Sequence, residues 1–222
     1  MNVIQATLIY PTDWEEVFEE KKPQIMERTN IINKIIKEKG YETYLEIGLG
    51  DGANFNNVQL LDKIGVDPNS PKTITSGMTK DQESDVFFEW YIQECENDLS
   101  AKRDLIFIDG LHLSEQCEKD IVNAWKCLNS GGTILIHDCM PWEEIIASRQ
   151  RKTVAWTGDV YKCVIGLIET YGSKLKMKFY PERAGLFSIE KGKTRLIVRP
   201  GFTKDISYQE FDQTWKSVIK SL

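Results

Sequence analysis

Hydrophobic and polar residues follow two different periods along the chain, and the change between them falls near residue 40. Over residues 14–39, apolar side chains recur every three or four positions among charged ones. This spacing predicts one or two amphipathic helices, with Gly40 as the stop. We expect them to pack as a cap on the rest of the chain.

After residue 40, short apolar runs alternate with helical stretches. The runs lie at 43–48, 63–67, 104–109 and 132–137. The helical stretches between them cover 53–61, 83–99 and 114–129. Each apolar run ends in glycine or a polar residue, as buried parallel strands do, and Gly131 with Gly132 is expected to stop the third helix. The alternation predicts a doubly wound, mostly parallel sheet in a three-layer α/β/α fold.

The chain ends with a different pattern. A helix is predicted at 159–171, with Asp159 as its N-cap, followed by strands at 174–180 and 186–190. The turn between these strands is short and contains proline and glycine, so they should pair antiparallel. The sheet is therefore predicted to finish in an antiparallel hairpin.

Length and composition indicate one domain. The 222 residues, 41% of them hydrophobic, suffice for one substantial core, and no repeat or flexible linker divides them. We expect a single domain with an N-terminal helical cap (1–40), a core (41–190) and a C-terminal extension (191–222). Whether it forms a homo-oligomer stays open.

Charge and cysteine content limit the location and partners. With 28 Lys plus Arg against 34 Asp plus Glu, the net charge of −6 disfavours nucleic acid and acidic membranes as partners. No apolar run approaches the roughly 20 residues of a membrane helix, and the start lacks a signal-peptide pattern. The five cysteines include no Cys-x-x-Cys pair, as is typical of reduced thiols. We therefore expect a soluble, cytoplasmic protein that binds neither nucleic acid nor membranes.

Three glycines, at 48, 50 and 52, directly follow the first predicted strand and precede a helix. Glycine there lets the backbone turn sharply and lets a ligand approach closely. A dinucleotide-binding loop places its third glycine three positions after the second, whereas here the spacing is two. Asp51 would also repel a pyrophosphate. The loop therefore favours a nucleoside-like ligand without a pyrophosphate.

Two acidic residues accompany this loop. Glu46 lies two positions before Gly48, where it can face the amino acid part of a zwitterionic ligand. Asp67 ends the next strand, nineteen residues after Gly48, where a carboxylate can accept hydrogen bonds from both ribose hydroxyls. The segment Leu45-Glu-Ile-Gly-Leu-Gly-Asp-Gly52 is similar to the first motif of class I S-adenosylmethionine-dependent methyltransferases, and Gly65-Val-Asp67 resembles their second.

This resemblance covers about residues 41–190 and implies a Rossmann-like fold with S-adenosylmethionine as cofactor. The cofactor-binding residues that it implies are Glu46, Gly48, Gly50, Gly52 and Asp67. One alternative is an NAD(P)-dependent oxidoreductase on a similar sheet, disfavoured by the glycine spacing and by the lack of a Tyr-x-x-x-Lys catalytic pair. A second alternative is a non-catalytic nucleotide-binding module.

The chain has only two histidines, His112 and His137, and both lie at or just beyond strand ends together with Asp109 and Asp138. Such groups should converge on one crevice at the edge of the sheet. This region resembles metal-dependent small-molecule O-methyltransferases of the catechol and antibiotic-sugar types. The resemblance implies Asp109 and His112 as catalytic residues, with His112 as general base. By the same resemblance Asp109 and Asp138 match metal ligands, and His137 is the candidate for the less secure third position.

The metal prediction has its own alternatives. The hard carboxylate ligands suit Mg²⁺, but the sugar-type enzymes have Glu where this chain has His137, and imidazole shifts preference towards Mn²⁺, Fe²⁺ or Zn²⁺. Alternatively, Asp109 and Asp138 only cap the loops that follow them, and His137 is a hydrogen-bonded residue at a strand end. We therefore predict transfer of a methyl group to a small hydroxylated acceptor, with Mg²⁺ or another divalent cation as a candidate cofactor.

Overall fold

The computed structural model of the protein describes residues 21–192 and 196–222, with side chains from residue 28 onward. Helix α1 spans Lys21–Lys39, and the chain turns at Gly40, whose φ of 66° lies in the left-handed region. The helix therefore ends at Gly40, as predicted. The beginning of the predicted amphipathic segment, residues 14–20, lies outside the described residues.

Strands and helices then alternate along the chain. They are β1 (Thr43–Ile47), α2 (Ala53–Asn57), β2 (Asp62–Val66), β3 (Met78–Lys80), α3 (Ser84–Asn97), β4 (Arg103–Ile108), α4 (Ser114–Cys127) and β5 (Leu128–His137). A short 3-10 helix, Leu99–Ala101, precedes β4. After β5 come α5 (Val160–Tyr171), β6 (Lys176–Tyr180), β7 (Leu186–Glu190) and a C-terminal helix over Tyr208–Glu210, π-helical Phe211–Trp215 and Lys216–Lys220. None of these helices, over the ranges described, is long and apolar enough to cross a membrane.

The seven strands form one sheet in the order β3-β2-β1-β4-β5-β7-β6. The first five are parallel, whereas β7 runs antiparallel to both β5 and β6. This order confirms the doubly wound sheet and its closing hairpin. The chain order reverses between β1 and β4, so a ligand-binding crevice is expected at the carboxyl ends of these two strands.

Side chains alternate between the two faces of the sheet and so define three layers. On β1, Leu45 and Ile47 pack in one cluster with α3, α4 and α5. Tyr44, on the opposite face, packs in a second cluster with Ile32 of α1 and Phe55 of α2. Glu46 shares the face of Tyr44, which brings it under α1 and α2.

Two local features differ from the sequence prediction. Gly131 and Gly132 do not stop α4, which ends at Cys127; they lie inside β5, where the register against β4 shifts. Gly131 donates to the Lys191 carbonyl (2.7 Å) and Gly132 accepts from the Lys191 amide (2.9 Å), so backbone pairing draws this segment into the sheet. Strand β3, only three residues long, carries no apolar run that would have predicted it.

The C-terminal extension packs on the outer face of α4 and α5. Phe202, Phe211 and Ile219 are buried in the cluster that contains these helices. The Phe202 carbonyl oxygen would lie 1.8 Å from a Cβ atom at Gly166, so glycine on α5 permits this close approach. The extension thus completes one layer of the domain.

Candidate active site

One cavity of about 540 Å³ opens at the carboxyl ends of β1, β2 and β4. Its lining includes the glycine loop, Glu46 and Asp67 together with Asp109 and His112. The volume lies within the range of roughly 300–1,000 Å³ that is common for small-molecule sites. All of the predicted cofactor residues except Gly52, and both predicted catalytic residues, therefore line the same cavity.

The glycine loop lets two strand ends approach each other. Gly48 has a φ of 87°, and a Cβ atom there would lie 2.0 Å from the carbonyl oxygen of Asp109. Gly50 has a φ of 53° and no atom within 4 Å of such a Cβ, so its glycine is required by conformation alone. At Gly52 (φ 80°) a Cβ would come 2.7 Å from the Ile74 side chain.

Asp67 is tied to the glycine loop through its carboxylate. Its Oδ2 atom accepts a hydrogen bond from the Leu49 amide at 2.9 Å, and Oδ1 accepts one from the Asn69 amide at 2.8 Å. Each carboxylate oxygen has two acceptor lone pairs, so both can still accept a bond from a ligand. The backbone thus fixes Asp67 at the wall of the cavity.

Glu46 lies under the loop and is 1% exposed. It accepts hydrogen bonds from the hydroxyl of Tyr44 (2.7 Å) and the amide nitrogen of Asn54 (3.0 Å). Burial raises the pKa of Glu46 to about 8, although these hydrogen bonds and nearby Arg28 oppose the shift. A positively charged ligand in the cavity would favour its ionised form.

The four predicted residues Asp109, His112, His137 and Asp138 come together at the ends of β4 and β5. Nδ1 of His137 lies 3.1 Å from Oδ1 of Asp109 and 3.3 Å from Oδ1 of Asp138. Donor atoms of Asp109, His137 and Asp138 all lie within 4.8 Å of one another. Asp138 adopts a left-handed φ of 59°, uncommon for a residue with a side chain and typical of functional turns.

His112 is held from two sides. Its Nδ1 atom lies 2.7 Å from the Trp156 carbonyl oxygen and 3.1 Å from Oδ2 of Asp138, and the rings of His112 and Trp156 stack at 5.0 Å. Burial lowers the pKa of His112, but Asp138 and Asp109 outweigh it and raise the pKa to about 9. A base has to be neutral to accept a proton, and a cation bound nearby would lower this pKa.

The loop between β5 and α5 carries Trp156 and is anchored to the start of α4. Asp159 occupies the N-cap position of α5, but its side chain makes no capping hydrogen bond there. Instead, Oδ1 accepts a hydrogen bond from the Ser114 amide at 2.8 Å, and Oδ2 forms an ion pair with Arg149 at 2.7 Å. The predicted cap is therefore wrong for α5, because the carboxylate satisfies the first amide of α4 instead. This places the loop against His112.

Two charged residues at the site were missed by the sequence analysis. Nη1 of Arg28, on α1, lies 2.8 Å from Oδ2 of Asp109, and Oε2 of Glu182 lies 3.1 Å from Nε2 of His137. Burial would raise the pKa of Asp109, but His137 and Arg28 hold it well below its usual range. Arg28 resembles any charged residue of an amphipathic helix, and Glu182 any polar turn residue, so no local signal marked them.

The fold and the site together are those of an α/β protein with a ligand-sized cavity at the carboxyl ends of its parallel strands, lined by carboxylates and an imidazole. Residues 45–139 match the model of a family described as a methyltransferase domain. The matched segment contains the glycine loop, Asp67, Asp109, His112, His137 and Asp138. Over this segment, which makes up less than half of the chain, the protein is similar to that methyltransferase family. No curated protein matches it in sequence.

Solved structures with the same fold include an O-methyltransferase from Bacillus cereus in complex with SAH. It is 14% identical, with a TM-score of 0.51 over 84% of this chain and 94% of that one. Cofactor-bound Rv0187 from MTB is 11% identical, with a TM-score of 0.55 over 76% and 81%. At these identities the likeness shows the fold.

Proposed function

We propose that the protein transfers the methyl group of S-adenosylmethionine to a hydroxyl group of a small acceptor, such as a sugar. The observation that carries this proposal is the single cavity shared by the glycine loop, Asp67, Asp109 and His112. The SAH complex of the Bacillus cereus O-methyltransferase supports the choice of cofactor. A methyl transfer needs its donor and its acceptor side by side, which one shared cavity allows.

The cofactor would lie along the glycine loop. Asp67 would accept hydrogen bonds from the ribose hydroxyls with the lone pairs that the Leu49 and Asn69 amides leave unused. Gly48 and Gly50 present backbone rather than side chains to the ligand. Buried Glu46 would face the ammonium group of the methionine part, whose positive charge offsets the cost of ionising a buried carboxylate.

The acceptor would lie at the end of the cavity lined by Asp109 and His112. S-adenosylmethionine supplies a methyl group on a positively charged sulfur. His112 Nε2 would take the hydroxyl proton as the oxygen–methyl bond forms, while the methyl–sulfur bond breaks and its electron pair stays on sulfur. The positive charge of the sulfonium would also lower the pKa of His112 towards 7. The ring would then be uncharged more often, as a general base has to be.

A divalent cation at Asp109, His137 and Asp138 stays a prediction. The donor atoms converge within 4.8 Å, as a metal site needs. However, Nη1 of Arg28 forms an ion pair with Asp109 at 2.8 Å, and Oε2 of Glu182 lies 3.1 Å from Nε2 of His137. The Arg28 guanidinium thus lies against Asp109 and His137 where an ion would bind, so the cluster as arranged does not fit one.

Calorimetric titration with S-adenosylhomocysteine and, separately, with NADH tests the cofactor assignment. We expect S-adenosylhomocysteine to bind and Asp67→Ala to weaken it at least tenfold, because the ribose hydroxyls lose their acceptor. The conservative variant Asp67→Asn retains one acceptor oxygen and should fall between. Binding of NADH alone would instead favour an oxidoreductase.

Methyl transfer itself would be measured with S-adenosylmethionine labelled at its methyl group and a panel of sugars and catechols. Label on an acceptor oxygen is the expected result. Tight cofactor binding without transfer to any hydroxyl compound in a broad panel would favour a non-catalytic module.

A further inference from the structure

The guanidinium of Arg28 lies among the residues that were predicted to bind a metal. Its Nη1 atom is 2.8 Å from Oδ2 of Asp109 and 3.2 and 3.4 Å from the two ring nitrogens of His137. Its carbon Cζ lies 5.5 Å from the ring centroid of Phe107. The Arg28 side chain is 16% exposed and lines the ligand cavity. A permanent positive charge is thus built into the acceptor end of the site.

This position is incompatible with a divalent cation bound at the same cluster. Such an ion needs free lone pairs at about 2.0–2.6 Å, and a guanidinium can neither lose its proton nor offer a lone pair. A cation among the ligands would also repel the ion at close range. Arg28 and the metal are therefore alternatives for one place.

The surrounding charges explain why a cation is needed there. Asp109, Asp138 and Glu182 bring three carboxylates together, and their side chains are 17%, 8% and 6% exposed. Carboxylates removed from water require a positively charged partner. Removing that partner from a buried carboxylate is strongly destabilising. Arg28 supplies such a charge from α1, which packs over this face of the sheet.

We propose that Arg28 is the resident cation of the acceptor site, in place of a divalent metal. Its charge would hold the acceptor oxygen while that oxygen loses its proton to His112 and receives the methyl group. The Arg28 side chain lines the ligand cavity, so its positive charge can face an acceptor oxygen bound there. This role in catalysis rests on the proposed function, whereas the exclusion of a metal does not.

Manganese binding tests the proposal without any need for methyl transfer. The full chain, freed of metals with a chelator, would be titrated with Mn²⁺ and the free ion followed by electron paramagnetic resonance. We expect wild-type protein and Arg28→Lys, which keeps the charge, to bind Mn²⁺ weakly. Arg28→Met and Arg28→Gln remove the charge and should bind it at least tenfold more tightly. Adding Asp138→Asn to either variant should abolish the gain, which locates the ion at this cluster.

Two outcomes would overturn the proposal. Tight binding of Mn²⁺ by the wild-type protein would show that the guanidinium does not exclude the ion, and this arm requires no variant to fold. Loss of methyl transfer on chelation of the wild type, with recovery on adding Mn²⁺, would show that a metal is needed despite Arg28. If no methyl transfer were found at all, the proposed function would fail. The Mn²⁺ titrations would still decide whether Arg28 excludes a divalent ion from the cluster.

Discussion

Nδ1 of His112 lies 2.7 Å from the carbonyl oxygen of Trp156, in a loop 44 residues further along the chain. Oδ2 of Asp138 is a second acceptor for the same nitrogen, at 3.1 Å. Two acceptors keep the proton on Nδ1, so the lone pair of a neutral ring belongs to Nε2. The tertiary structure therefore fixes the orientation of His112 and, with Nε2 at the longer distance of 3.5 Å from Oδ1 of Asp109, favours Nε2 as the atom that would accept a proton.

Replacement of His112 by glutamine should remove the base and spare the cofactor site. We expect kcat for a verified acceptor to fall by about 10²–10⁴-fold, the usual contribution of a general base. Calorimetry should show S-adenosylhomocysteine affinity within about twofold of wild type, because the glycine loop and Asp67 are untouched. Trp156→Phe, which keeps the backbone carbonyl and an aromatic ring, serves as the matched control. Unchanged kcat in His112→Gln would disprove the assignment.

Two glycines of the loop should respond differently to alanine. Gly50→Ala introduces only left-handed strain and should cost about 1–2 kcal/mol of unfolding free energy. Gly48→Ala adds a Cβ atom 2.0 Å from the Asp109 carbonyl oxygen and has to push two strand ends apart. It should therefore lose clearly more unfolding free energy than Gly50→Ala. Urea unfolding of both variants measures the difference. Equal losses would mean that the close approach at Gly48 is readily relieved.

Cofactor binding should release a proton from Glu46. Its pKa of about 8 leaves the carboxyl largely protonated at pH 7, and an ammonium group beside it would lower that pKa. Calorimetry of S-adenosylhomocysteine in two buffers of different ionisation enthalpy should show release approaching one proton at pH 7, declining as the pH rises past 8. Glu46→Gln cannot ionise and should show none. Equal release by the variant would assign the proton to another group.

Asp120 should make stability depend on pH. It is 1% exposed, accepts a hydrogen bond from Gln116, and burial raises its pKa from 3.8 to about 7. The folded state holds the proton more tightly, so the contribution of Asp120 to stability is full below pH 3.8. As the pH rises from 3.8 to about 7, this stabilising contribution is lost, by as much as roughly 1.4 kcal/mol per pH unit.

Asp120→Asn cannot ionise and keeps an acceptor oxygen for Gln116. The variant should therefore gain stability relative to wild type between pH 5 and pH 7, and the gain should level off above pH 7. Urea unfolding at pH 5, 6, 7 and 8 measures this trend. A difference between variant and wild type that does not change with pH would rule out the raised pKa.

Much of the fold and most of the site followed from local sequence pattern. The buried strands β1, β2, β4 and β5 each contain a short apolar run, and a parallel sheet places all their carboxyl ends at one edge. Residues that directly follow these strands, such as Asp67 and Asp109, could therefore be assigned to one crevice without coordinates. The glycine loop was predictable because the glycine spacing is itself a local constraint on the backbone.

The sequence by itself thus determined the sheet, the glycine loop and the Asp/His cluster, because each depends on contiguous residues and a regular period. Only the tertiary structure decided that Arg28 and Glu182 join that cluster, that Asp159 binds the first amide of α4, and that Gly131 lies within β5. These contacts join distant segments, with Arg28 and Asp109 separated by 81 positions. Such pairings depend on how the layers pack, and no period along the chain encodes them.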